Sequence, residues 1–93
     1  TEEPENADLQ FNLGVLCYEG HALSMAEQAW LKALQLDSLM AEAHQDLCYL
    51  FYEQKQYEKA SAHAQEASRL GLPVTPGLAA EVQKFLRPSG RQQ

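Results

Sequence analysis

Two cysteines and three histidines are the side chains best suited to holding a metal ion or acting as nucleophiles. Cys17 and Cys48 fall in apolar stretches with helical periodicity, a setting typical of buried free thiols. His21, His44 and His63 are scattered along the chain, without HxxxH or HExxH spacing and without a CxxC motif nearby. The sequence therefore predicts neither a metal site nor a bound cofactor.

Catalytic arrangements are equally absent from the motifs. Ser61 and His63 are two residues apart in a predicted helix, where side chains at that spacing point in different directions. There is no glycine-rich phosphate loop and no G-x-S-x-G motif, and no pair of acids is marked out for general acid–base catalysis. We therefore expect a protein without enzymatic activity.

The composition narrows the class of partner. The chain has 13 Asp and Glu residues against 7 Lys and Arg, whereas binding to a nucleic-acid backbone requires clustered bases, so we expect no nucleic-acid partner. With no apolar run of about eighteen residues and no signal-peptide pattern, we expect no insertion into a membrane. The chain begins with Thr1 rather than Met, which predicts a piece of a longer polypeptide and leaves its compartment open.

The charge is unevenly distributed along the chain. Residues 1–53 hold ten acids and one base, a net charge of −9, whereas residues 54–93 hold three acids and six bases, a net charge of +3. One interpretation is an ordinary solvated surface. The other is that the acidic half attracts a basic partner or the basic half of a second copy.

A 34-residue repeat indicates the elements that position these side chains. Aligning residues 7–36 with residues 41–70 gives eight identical pairs, where chance would give about two. A unit of this length is one helix–turn–helix that must stack on a neighbour to bury its apolar face. The sequence therefore predicts an all-α fold of antiparallel helix–turn–helix repeats with about five helices.

Turn and cap residues divide the chain. We predict that Gly20 takes the left-handed conformation that ends the first helix, and that Ser24 and Glu27 form a capping box for the second. Thr75 and Pro76 begin the last helix as cap and first helical residue. The predicted segments are an acidic N-terminal extension (1–6), repeat 1 (7–40), repeat 2 (41–74), a capping helix (75–87) and a disordered tail (88–93).

Small and large apolar residues recur at fixed positions in these units. The first helix carries Leu9, Leu13, Leu16 and Cys17 on one stripe. The second helix of each unit carries two alanines seven residues apart, on one face, which predicts close helix crossings. These alanines are Ala26, Ala33, Ala60 and Ala67.

This pattern resembles the tetratricopeptide repeat, with signature W-x₂-L-G-x₂-Y…A-x₃-F…A…P. The first unit matches at Leu13-Gly14, Ala26, the aromatic Trp30 and Ala33, and the second at Leu47, Phe51, Ala60 and Ala67. The resemblance covers residues 7–74, and residues 75–87 look like the helix that caps such arrays. It implies an α-α solenoid, a right-handed superhelix whose concave side is lined by the first helix of each unit.

The resemblance also implies a binding surface. Family groove positions map onto four aromatic rings with acids at the margin, a combination suited to peptides, although Phe11 and Tyr18 have packing between helices as an alternative role. The cationic clamp by which some relatives hold a C-terminal carboxylate is absent, so we expect an apolar, neutral or basic segment as ligand. The concave-face residues are Asp8, Phe11, Val15, Tyr18, Glu19, Glu42, Gln45, Tyr49, Tyr52 and Glu53.

Three functions remain open at this point. The first is a non-catalytic scaffold that binds a peptide segment or partner protein on the concave face. The second is self-assembly into a homo-oligomer through exposed end faces around Asp8, Leu9 and Leu23. The third is a targeting appendage of a larger enzyme.

Overall fold

The computed structural model describes residues 6–86, which form five α-helices joined by short turns and contain no β-strand. The predicted all-α class is therefore confirmed. Residues 1–5 of the predicted extension, residue 87 of the predicted capping helix and the predicted tail (88–93) lie outside the described residues. The helices are α1 (Ala7–Glu19), α2 (Leu23–Leu36), α3 (Ala41–Glu53), α4 (Tyr57–Arg69) and α5 (Pro76–Leu86).

The helices follow the period of the sequence. α1 and α3 begin and end 34 residues apart, and α2 and α4 begin 34 residues apart. The most extensive contacts join α1 to α2 and α3 to α4, and smaller contacts join α2 to α3 and α4 to α5. The chain is thus two helical hairpins in succession, followed by a single helix against the second hairpin.

The turn after α1 differs from its prediction. Gly20 has φ −87°, and the left-handed residue is His21 at φ 65°, with Lys55 at φ 63° and Gly71 at φ 94° in the later turns. The predicted role of Gly20 is therefore wrong, because the left-handed position lies one residue beyond the helix cap whatever residue stands there. One kind of backbone hydrogen bond, 2.8–2.9 Å from nitrogen to oxygen, closes all three turns: Ala22 to Cys17, Gln56 to Phe51 and Leu72 to Ala67.

Two helices begin with a side-chain cap. The Asn6 side chain accepts hydrogen bonds from the backbone of Asp8 and Leu9, at 2.8 and 3.2 Å. Thr75 caps α5 as predicted, accepting a bond from the Leu78 amide at 3.3 Å. The capping box predicted at Ser24 is wrong, because α2 begins at Leu23 and has no side-chain cap. Ser24 therefore lies inside the first turn rather than before it.

The core is built from the small residues that recur in the two hairpins. Ala26, Ala33, Ala60 and Ala67 are all 0% exposed, as the repeat phase predicts. Small side chains at these positions let the helix axes approach closely. The largest fully buried side chains between them are Trp30, Phe51, Leu47, Leu50, Val82 and Cys48.

The apolar stripe of α1 is not part of this core. Leu9, Leu13 and Leu16 are 66%, 47% and 67% exposed, and Gly14 is the buried residue of the helix. Periodicity predicted the stripe, but within residues 6–86 no helix precedes α1 to cover it. Cys17, on the same stripe, is half-buried.

Gly14→Ala should lower the free energy of unfolding by about 1–3 kcal/mol, because the added methyl group overpacks the core. A Cβ at this position would overlap the Trp30 ring, lying 2.5 Å from its Cδ1. Gly77→Ala is the matched control, since its Cβ would meet open space. Chemical denaturation of the three proteins measures the effect, and equal stability of Gly14→Ala and the wild type would contradict this packing.

Lys55→Gly should raise the free energy of unfolding by about 1 kcal/mol, because a left-handed conformation is unfavourable for a residue with a Cβ. Gly71→Ala should lower it by a similar amount, since Gly71 occupies the same turn position at φ 94°. Thermal denaturation of both variants measures the pair. Shifts in the same direction would show that these turns do not hold the conformations described.

Candidate functional site

A cleft of about 220 Å³ opens where α1, α2 and α3 meet, and we call it the Trp30 cleft. Four of the predicted concave-face residues line it, two of them aromatic. Trp30 and Asp46 complete the lining and were not among the predicted site residues. The six residues of the Trp30 cleft are Val15, Tyr18, Glu19, Trp30, Asp46 and Tyr49.

The tryptophan forms a fixed wall of this cleft. Trp30 is only 2% exposed, and its Nε1 donates a hydrogen bond to the backbone oxygen of Phe11 at 3.1 Å. Its ring lies 5.7 Å from the ring of Tyr18 and 6.4 Å from that of Phe11, measured between centroids. These contacts lie in the range of favourable aromatic pairs. Phe11 therefore packs between helices, and Tyr18 both packs on Trp30 and borders the cleft.

Carboxylates give the cleft its electrostatic character. Burial, reinforced by the charge of Glu42, raises the pKa of Asp46 to about 6. Burial and a hydrogen bond with Glu53, together with the charges of Glu53 and Asp46, raise the pKa of Tyr18 to about 12. At neutral pH the cleft thus combines neutral aromatic walls with a poorly solvated carboxylate. A cation placed beside Asp46 would stabilise that carboxylate.

Tyr52 lies apart from the Trp30 cleft. Its ring is 5.8 Å from that of Tyr57 and 6.5 Å from that of Phe85, and its hydroxyl group is 3.5 Å from a carboxylate oxygen of Glu81. These contacts place it where α3, α4 and α5 meet. The two tyrosines that the sequence grouped, Tyr49 and Tyr52, therefore belong to different surroundings.

The remaining predicted residues lie around the cleft or at its ends. Gln45 is half-buried and donates a hydrogen bond to the backbone oxygen of Pro73 at 3.1 Å, which ties α3 to the segment before α5. Glu53 lines a neighbouring depression together with Tyr18. Asp8 is exposed in the first turn of α1, and Glu42 is exposed in that of α3.

Two of the histidines meet, so their description as scattered is wrong for His44 and His63. Their Nδ1 atoms are 2.9 Å apart, and the His63 ring stacks on Phe51 at 5.5 Å between centroids. Burial and the neighbouring His44 lower the pKa of His63 to about 4, against a smaller opposing effect of Glu66. Within residues 6–86, no group of three or more His, Cys, Asp or Glu side chains is placed to hold a metal ion.

The thiols are free in this structure. Cys48 is buried, as predicted, and burial raises its pKa to about 11, so the thiol stays protonated at neutral pH. Cys17 is half-buried.

A second cavity of about 220 Å³ lies between α4 and α5. Its lining includes Ser61, Gln65 and Gln83 and no charged side chain. The Trp30 cleft is therefore the one of the two that can select a ligand by charge.

Comparison with protein-family models finds none that matches this chain, and comparison with the curated proteins likewise finds no match. Among the described helices, none combines the length and hydrophobicity needed to cross a bilayer.

Asp46→Asn should make acid destabilisation steeper. The raised pKa of Asp46 favours folding at low pH and loses that contribution as pH rises through about 6. The lowered pKa of His63 acts in the opposite direction, because its contribution is present above the unfolded value near 6.5 and is lost towards pH 4. In the wild type the two effects oppose each other between pH 4 and 6.5.

The variant removes the first effect, so its stability relative to the wild type should rise by roughly 1 kcal/mol between pH 4 and pH 7.5, after allowance for solvent screening. His63→Phe is the reciprocal control and should reverse the slope. Urea denaturation at a series of pH values measures both. Parallel pH profiles for the wild type and both variants would contradict these environments.

Proposed function

We propose that this protein is a non-catalytic interaction module that binds a peptide segment of a partner protein in the Trp30 cleft. The observation that carries the proposal is the meeting of aromatic walls and a poorly solvated carboxylate in one cleft between successive hairpins. Aromatic side chains supply large contact areas at low entropic cost, and they dominate the energetics of many protein interfaces.

The resemblance to the tetratricopeptide repeat supports the same function. The two hairpins repeat at the 34-residue spacing of that family, and α1 and α3 border the cleft. A right-handed superhelix with these helices on its concave side belongs to this proposal.

The charge of the cleft defines the ligand that we propose. Glu19 and Asp46 line it, Glu42 adds negative charge, and no basic side chain within residues 6–86 contributes to the pKa of Asp46. A Lys or Arg side chain of the ligand would pair with Asp46 and lie near the faces of Tyr18 and Tyr49. The ligand is therefore a segment with a basic residue beside apolar residues.

Selection from a displayed library of random peptides tests this proposal. The wild type should enrich Lys or Arg next to apolar residues, because both the carboxylate and the aromatic walls contribute. Tyr49→Ala should weaken binding of a selected peptide by roughly thirtyfold, the effect of losing one central aromatic contact. Asp46→Asn should reduce the preference for basic residues, and Tyr52→Ala, outside the cleft, is the matched control.

Circular dichroism confirms that each variant keeps its helices. Enrichment of acidic peptides would contradict the proposed ligand. Selection of the same peptides by the wild type and by Tyr49→Ala would contradict the proposed site.

A further inference from the structure

An apolar surface is exposed at the N-terminal end of the molecule. Leu9, Leu13 and Leu16 of α1 are 66%, 47% and 67% exposed, and Met25 of α2 is 60% exposed. Leu13 and Met25 border one shallow groove between the two helices. We call these four residues the N-terminal apolar face.

The second hairpin shows what such a face packs against. The positions 34 residues after the three leucines are Ala43, Leu47 and Leu50, and all three are 0% exposed. They share buried clusters with residues of α2: Ala33 with Ala43, and Ala26 and Trp30 with Leu47 and Leu50. The face on α1 therefore has the form of a helix-packing surface. Its residue spacing of four and then three is that of a seam between packed helices.

The opposite end of the molecule has the complementary charge. Within the described residues, 6–53 hold seven acids and one base, a net charge of −6, and 54–86 hold three acids and four bases, a net charge of +1. Lys55, Lys59, Phe85 and Leu86 line one open groove there, and Phe85 is 49% exposed. We call this groove and the adjoining exposed Lys84 the basic end.

We propose that the N-terminal apolar face of one copy docks on the basic end of a second copy, in a head-to-tail contact. Exposed leucines would cover Phe85 and Leu86, while the acids of α1, Asp8 and Glu19, would approach the lysines. A symmetric contact between two α1 helices is less favourable, because α1 carries these acids and no basic residue. A head-to-tail contact leaves one free end on each side, so assemblies grow with concentration.

Analytical ultracentrifugation tests the contact from about 10 µM to about 1 mM, a range suited to weak interfaces. The wild type should increase in mass with concentration, and less so in high salt. Leu9→Glu with Leu16→Glu removes the apolar face, and Lys55→Glu with Lys84→Glu reverses charge at the basic end. Each double variant alone should associate at least about tenfold more weakly, since one side of every contact is impaired.

Mixing the two double variants gives the sharpest result. Each retains the surface that the other lacks, so the mixture should form a dimer and no larger species. Leu39→Glu, a change at an equally exposed apolar residue (67%) between α2 and α3, is the matched control and should associate like the wild type.

A wild type that stays monomeric throughout the range would overturn the proposal. So would undiminished association of the Lys55→Glu/Lys84→Glu variant, which would indicate a symmetric contact. All of these changes lie outside the Trp30 cleft, so peptide selection by the variants reports separately on the proposed function.

Discussion

The packing of Trp30 against Gly14 is the contact on which the rest of the structure depends. The indole ring occupies the space that a side chain at position 14 would fill, and its Nε1–H bonds to the Phe11 carbonyl oxygen. These contacts fix α2 against α1 and expel water from the first hairpin. The same ring forms one wall of the cleft, so the residue that determines the hairpin geometry also shapes the proposed binding site.

Much of the fold follows from the period of the sequence. Repetition placed the helix boundaries and the buried alanines, because a position that needs a small side chain in one hairpin needs it in the next. The left-handed residues His21 and Lys55 were not predictable from residue type, since the hydrogen bonds of the turn set that conformation. The exposure of Leu9 was also not predictable, because periodicity shows an apolar stripe but not what covers it.

The site was predicted less completely than the fold. Val15, Tyr18 and Tyr49 were expected near one another and line the cleft, because they project from the two helices that border it. Trp30 was assigned to the core, yet a core ring can present one edge to a cleft. Asp46 was missed because its character depends on burial and on Glu42, which the sequence alone does not reveal. The contact between His44 and His63 depends on how α3 and α4 rotate against each other, which periodicity fixes only approximately.

The fluorescence of Trp30 during a peptide titration tests the central claim most directly, because Trp30 is the sole tryptophan and lines the cleft. The probe is a library-selected peptide containing Lys, and the comparison is the same peptide with Lys replaced by Glu. The account predicts a saturable change in Trp30 emission with the Lys peptide and little change with the Glu peptide. Binding of the Lys peptide, detected by its own label, without any change in Trp30 emission would contradict the account.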